Sequence, residues 1–123
     1  MYPADLKYTN DHEWIRVSGD QGQVGITDYA QKQLGDVVYV ELPEPGRTVS
    51  QGEALGTIES VKAVSEIFAP VSGEIVDVNA TLKDSPETIN SDPHGAWMVT
   101  IRLANPAETA ALLDSTQYAE VVK

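Results

Sequence analysis

Apolar and polar positions alternate with a period of two in one short segment after another along this chain, the mark of strands with one buried face. Leu6-Lys7-Tyr8-Thr9 and Glu13-Trp14-Ile15-Arg16-Val17 follow this rule, with Asn10-Asp11-His12 as the turn between them. Ser18-Gly19-Asp20-Gln21-Gly22 reads as a second turn, leading into Gln23-Val24-Gly25-Ile26. Thr27 or Asp28 then caps a short helix through Leu34, which Gly35 stops. Val37-Val38-Tyr39-Val40-Glu41-Leu42 is the strongest strand run, and Pro43-Glu44-Pro45-Gly46 ends it because proline has no N–H to give a ladder.

Thr48-Val49 and the turn at Gln51-Gly52 lead to two β-branched, apolar-rich runs, Ala54-Leu55-Gly56-Thr57-Ile58 and Val64-Ser65-Glu66-Ile67-Phe68. The few residues between them suit a tight reversal, so a hairpin is expected over about 54–68 with Lys62 at its tip. Ala69-Pro70-Val71-Ser72-Gly73 turns the chain into Glu74-Ile75-Val76-Asp77-Val78-Asn79, residues 81–93 read mostly as loop, and Trp97 to Leu103 forms a last strand. Asn105-Pro106-Ala107-Glu108 has the cap, proline and acid of a helix start, continued to Leu113. Asp114-Ser115-Thr116 is expected to break this extension (about 105–122) before a final helical turn or two. Glycine turns on both sides of Lys62, at Gly52 and Gly73, suggest two similar halves related by an approximate two-fold axis near the lysine. Many short strands with regular turns indicate a β-sandwich or flattened barrel.

At 123 residues, the chain is expected to be one domain, 1–123, able to bury one modest core. Nineteen acids against eight bases give a formal charge of −11, which argues against nucleic acid and anionic membrane surfaces, since both need basic patches. With no cysteine, any sulfur redox chemistry must come from an attached group. No apolar run is long enough to span a bilayer. The N-terminal residues resemble neither a signal nor a transit peptide. A cytoplasmic chain is expected, or a mitochondrial one whose presequence has been removed, and a monomer.

Lysines fall at 7, 32, 62, 83 and 123, and Lys62 alone stands between two strands at a reversal. A solvated turn lysine is the ordinary reading, yet an exposed tip is also where an amine meets a modifying enzyme. No phosphate loop, nucleophile elbow or HExxH motif is present. His12 and His94 read as surface or interface residues, and Trp14 and Trp97 as core or apolar-edge residues. Glu13, Glu59 and Glu66 could form an acidic constellation or simply a solvated face.

A lysine at a hairpin tip between two β halves resembles the lipoyl and biotinyl carrier domains. Glu59-Ser60-Val61-Lys62-Ala63 is similar to the tip of the glycine cleavage system H proteins in particular. So are His12-Glu13-Trp14, Val24-Gly25-Ile26-Thr27-Asp28-Tyr29-Ala30, Leu34-Gly35-Asp36 through Pro43, Ala69-Pro70-Val71-Ser72-Gly73-Glu74, Asn90 with Asp92-Pro93, and Trp97-Met98. Two departures are a shortened Asp92–Trp97 loop and Val64-Ser65-Glu66 after Ala63, which lengthens a carboxylate near the lysine.

The resemblance implies a mainly β, lipoyl/biotinyl-type flattened barrel-sandwich hybrid with a short internal helix and a C-terminal helical extension. It implies lipoate in amide linkage to Lys62, on an arm reaching about 14 Å from the Cα. The arm would take the aminomethyl group of glycine at a pyridoxal-phosphate glycine decarboxylase and deliver it to a folate-dependent aminomethyltransferase. It would be reoxidised by dihydrolipoyl dehydrogenase, after a lipoate-attaching enzyme has installed it. The chain would be a carrier, not an enzyme. Glu13, Glu66 and Asp11 are the acids placed by resemblance to receive the loaded arm, and no metal ligands are implied. Other readings are a relay passing lipoate to other proteins, a lipoyl domain of a 2-oxo acid dehydrogenase complex, or an unmodified β-sandwich interaction module.

Overall fold

The computed structural model describes residues 2–123. Strands β1 (Lys7–Tyr8), β2 (Glu13–Ser18) and β3 (Gln21–Ile26) lead into helix α1 (Asp28–Leu34). Then come β4 (Val37–Glu41), β5 (Thr48–Val49), β6 (Ala54–Ser60), β7 (Val64–Phe68) and β8 (Gly73–Val78). Helical turns α2 (Thr81–Asp84) and α3 (Thr88–Ser91) precede β9 (Val99–Leu103), and a 3-10 turn (Pro106–Ala111) and α4 (Ser115–Val121) follow it.

The strands form a six-stranded sheet, ordered β1-β2-β3-β9-β8-β5, and a three-stranded sheet, ordered β4-β6-β7. Their pairings are antiparallel. The ladders remain two sheets rather than one closed ring. Ile15, Val24, Ile75 and Ile101 from the first sheet meet Val40, Leu55, Ile58 and Ile67 from the second in one core. Full burial of each such side chain contributes about 1.5–3 kcal/mol. The strand period of two places these residues inward and their neighbours outward. Outside the β6–β7 hairpin, β5 pairs with β8 through Val49 opposite Gly73.

A second cluster lies on the other side of β1 and β2. Leu6, Tyr8, Trp14 and Tyr118 are buried together, with the Tyr8 and Tyr118 rings stacked at 4.7 Å. Trp14 lies over Gly25, where a Cβ would sit 2.5 Å from the indole. Its Nε1–H donates to the carbonyls of Ile26 and Pro93. The Asp92–Trp97 loop is therefore a packed element, with the His94 carbonyl also accepting from Arg16.

Residues 81–93 are not mostly loop: α2 and α3 bury Leu82 and Ile89 in the main core. Each is a single turn split by Ser85-Pro86, too short to show helical periodicity. The C-terminal extension does break before a final helix, between Ala111 and Ser115 and so slightly earlier than expected, and Asp114 is the residue that resumes it. It starts α4, with a capping box in which its carboxylate accepts from Gln117 N while the Gln117 side chain accepts from Asp114 N. The segment before it is a 3-10 turn capped by Asn105.

Candidate functional site

Lys62 lies at the tip of the β6–β7 hairpin, exposed. The reversal is closed by Ser60 N–H donating to the Ala63 carbonyl at 2.8 Å. The Ser60 hydroxyl oxygen accepts from the amides of Lys62 and Ala63. Serine suits this place because its short oxygen can replace the backbone acceptor that the turn lacks. Val61 N–H donates to the Asp36 carbonyl at 3.0 Å, which pins the tip to the turn between α1 and β4.

That turn is shaped for the lysine. Thr27 caps α1 by accepting from Ala30 N, and Gly35 ends it at φ +79°, ψ −158°, a conformation that glycine alone adopts freely. The Lys62 stem passes directly over Gly35, where a Cβ would sit 3.3 Å from its Cε. Asn90 locks the turn from α3: its amide N–H groups donate to Gln31 Oε1 and the Gly35 carbonyl, both at 2.9 Å. Its carbonyl oxygen accepts from Val37 N at 2.8 Å. Three bonds from one half-buried side chain fix both the helix end and the start of β4.

Helix α1 runs from this platform to the second part of the site. Thr27 N donates to the His12 carbonyl, and from Gly35 to Thr27 the helix covers about 12 Å at 1.5 Å per residue. His12 holds the turn at φ +69°. Its Nδ1 lies 2.8 Å from the Tyr118 hydroxyl, which is also 2.7 Å from Thr27 Oγ1. The C-terminal helix thus braces the residue before Glu13. His12 and His94 are both half-buried. Burial lowers both imidazole pKa values, and the His94 Nε2 accepts from Asp28 N.

Glu13 is 2% exposed. Thr9 Oγ1 donates to its Oε1 at 2.7 Å and Phe68 N to its Oε2 at 3.1 Å. Burial outweighs those two bonds and pushes its carboxyl up to about 7, so at neutral pH it is divided between acid and carboxylate. It borders a cleft of about 230 Å³ whose walls include Thr9, Asp11, Phe68 and Leu112. Asp11 stands exposed at the lip, its own amide bonded to Thr9 Oγ1. Glu66 is exposed on β7 opposite Thr57.

Of the sequence-selected acids, Glu13 and Asp11 therefore share one cleft, while Glu66 lies along the strand between it and Lys62. Lys62 to Phe68 is six strand residues, about 20 Å. Laid straight along the strand, an arm of about 14 Å ends about 6 Å short of Phe68, so the cargo and the Glu13 side chain must close that gap. Glu66, about 13 Å along the strand, is just inside that reach. The sequence alone does not place Thr9, Gly35, Asn90 or Tyr118 at the site. Gly35 was visible as a helix stop, but Asn90 and Tyr118 act across 53 and 91 residues, which no local pattern reveals.

The profile of the glycine cleavage H-protein family matches residues 6–123. A glycine cleavage system H protein of Symbiobacterium thermophilum is 57% identical over 117 residues, covering 94% of this chain and 91% of the relative. One from Anaeromyxobacter sp. strain K is 54% identical over 122 residues, covering 98% and 95%. The crystal structure of a glycine cleavage system H protein from Mycobacterium marinum superposes with a TM-score of 0.89 at 45% identity, covering 97% of each chain.

Proposed function

The chain belongs to the glycine cleavage H-protein family, and on that premise we propose that it is the lipoyl carrier of a glycine cleavage system, with lipoate in amide linkage to Lys62. The observation that carries this reading is the presentation of Lys62: exposed at a hairpin tip and braced by Ser60 and Asp36, with a stem that crosses a glycine. The residues present fit the group, since the amine reaches solvent and the bare Cα of Gly35 leaves a track for a longer arm.

When bound, lipoate supplies the dithiolane that carries the glycine aminomethyl group and is reduced and reoxidised between enzymes. The chain's own residues position and protect. The Ser60 turn and the Asp36 contact hold the lysine out for the lipoate-attaching enzyme and for glycine decarboxylase, aminomethyltransferase and dihydrolipoyl dehydrogenase. Glu66 offers a carboxylate along the strand from Lys62, and Asp11 one at the lip of the Glu13 cleft. Glu13 offers a buried one, worth more to an arriving ammonium than an exposed partner would be. A cation at Glu13 favours its ionised form, so arrival of the cargo releases a proton there, and retention strengthens as pH rises through about 7,. The chain does no bond chemistry itself.

Incubation with a lipoate-attaching enzyme, ATP and lipoate, followed by peptide mapping, tests the assignment. One lipoyl group on the peptide holding Lys62 is expected. Lipoate on Lys7, Lys32, Lys83 or Lys123 would overturn it.

A further inference from the structure

The cleft beside Glu13 has two walls that are held in different ways. Phe68, Ala69 and Pro70 form one. It continues β7 and is tied into the sandwich, since Gly52 N donates to the Ala69 carbonyl and Ala69 N to the Glu53 carbonyl, both at 2.8 Å. Ala111, Leu112 and Leu113 form the other, and they belong to the C-terminal extension. Leu112 packs against the main core and Leu113 against the second cluster, so this short segment bridges the two.

The segment is fastened at two points. Leu113 and Tyr8 exchange backbone hydrogen bonds at 2.8 and 2.9 Å. At the other end the Glu108 carboxylate spans Ser72: Oε1 accepts from the Ser72 N–H at 2.7 Å and Oε2 from its hydroxyl at 2.9 Å. The Ser72 oxygen accepts in turn from Gln51 N, and the Gln51 side chain donates to the Pro70 carbonyl. Glu108 is thereby connected, through Ser72 and Gln51, to the opposite wall of the cleft. Among the described residues, no other hydrogen bond ties residues 106–113 to the sheets. Between the fastenings runs the 3-10 turn, whose bonds have poorer geometry than those of an α-helix,. Such a segment opens more readily than the strands beneath it. The strand ladders do not depend on Glu108; what its charge-assisted bonds fix is where the wall stands.

We propose that Glu108 is a positioning residue for retention of the cargo: clamped on Ser72, it holds Ala111–Leu113 as the opening wall of the Glu13 cleft. The proposal rests on the carrier reading and adds to it what keeps water out. Loss of the cargo is hydrolysis: its carbon takes the oxygen of one water and leaves as formaldehyde, its nitrogen leaves as ammonium, and the arm sulfur keeps a proton. Water must reach the cargo carbon for this, and an apolar wall kept shut excludes it. Without the clamp, the Tyr8–Leu113 bridge is the remaining fastening, and the wall swings on it.

The test compares wild type with Glu108→Ala, Ser72→Ala and Glu108→Gln. Glutamine can accept from Ser72 N and donate to the Ser72 oxygen, so it should restore the clamp without the charge. In the unmodified chain, amide exchange at Leu112 should quicken about tenfold in Glu108→Ala, the effect of roughly one net hydrogen bond, while Ile101 keeps its wild-type rate. In the lipoylated chain, loaded with glycine by glycine decarboxylase, release of formaldehyde and ammonia should rise in step with that exchange. Ser72→Ala keeps the N–H bond to Glu108 and should fall between, and Glu108→Gln should lie close to wild type. Lipoylation and reoxidation should be unchanged throughout, and Glu44→Gln should match wild type in every readout. If Glu108→Ala does not fold, Ser72→Ala carries both measurements. Equal acceleration at Leu112 and Ile101 would make Glu108 a residue of general stability and overturn the proposal. Unchanged exchange at Leu112, or faster exchange with unchanged release, would also overturn it. Failure of the lipoylated wild type to load would instead strike the carrier reading, and the exchange rates would still decide whether Glu108 holds the wall.

Discussion

Replacing Glu13 by glutamine should change how the stability of the fold depends on pH. Burial raises the carboxyl from its ordinary 4.5 to about 7, so between those values the folded chain holds a proton that the unfolded chain has lost. Stability from this group is therefore full below about pH 4.5, declines as pH rises through the window, and stays low above about 7. The displacement of about 2.5 pH units, at about 1.4 kcal/mol each, makes the loss about 3 kcal/mol. Glutamine does not titrate, but its amide cannot satisfy both donors. Thr9 Oγ1 already accepts from the amides of Asp11 and Glu13 and donates to the carboxylate, so an NH₂ turned toward it, or toward Phe68 N, lacks an acceptor. That defect costs about 1–3 kcal/mol. The variant should consequently be less stable than wild type at pH 5 and equal or better at pH 8.5. Urea unfolding of the two unmodified proteins at both pH values measures this. The difference between them cancels titration of His12, His94 and the exposed acids. Parallel profiles would refute the reasoning and place the Glu13 carboxyl in contact with water.

The same substitution should leave lipoylation and reoxidation unchanged while raising formaldehyde and ammonia release from the loaded protein, and equal release would return Glu13 to a purely structural role. Asn90→Ala removes three hydrogen bonds at the α1–β4 turn and should cost about 2–3 kcal/mol. Amide exchange at Val61 should accelerate more than at Ile101, and equal protection at both would mean the turn does not brace the tip.

Much of this fold was legible because the strands bury one face each and so carry their register in the alternation. The hairpin, the Thr27 cap, the Gly35 stop and the isolation of Lys62 between two strands are local patterns, readable within a dozen residues. Single-turn helices around Leu82 and Ile89 were not, because four residues show no period. Asp114 was legible as part of the break but not as the cap of the helix after it, because the same residue types end and begin helices, and only the reciprocal bond with Gln117 decides which. The burial of Glu13 was hidden for a different reason. Acids in so acidic a chain are mostly solvated, and its partners Thr9 and Phe68 converge only in the folded protein. The bulge at Val38, where pairing of β4 with β6 slips between Val37 and Tyr39, likewise looked like part of an unbroken strand run, although Val37-Val38-Tyr39-Val40 violates alternation on its face.

The measurement that reaches the central claim most directly is glycine-dependent exchange of labelled bicarbonate into glycine by glycine decarboxylase, with lipoylated wild-type chain or Lys62→Arg as the carrier. Arginine keeps the charge at the tip but cannot take the acyl group. Exchange that requires lipoylation and vanishes in Lys62→Arg, with the variant's unfolding curve unchanged, is the result expected. Exchange that persists at the wild-type rate with Lys62→Arg, or is absent with fully lipoylated wild-type chain, would contradict the assignment of Lys62 as the carrier site of a glycine cleavage system.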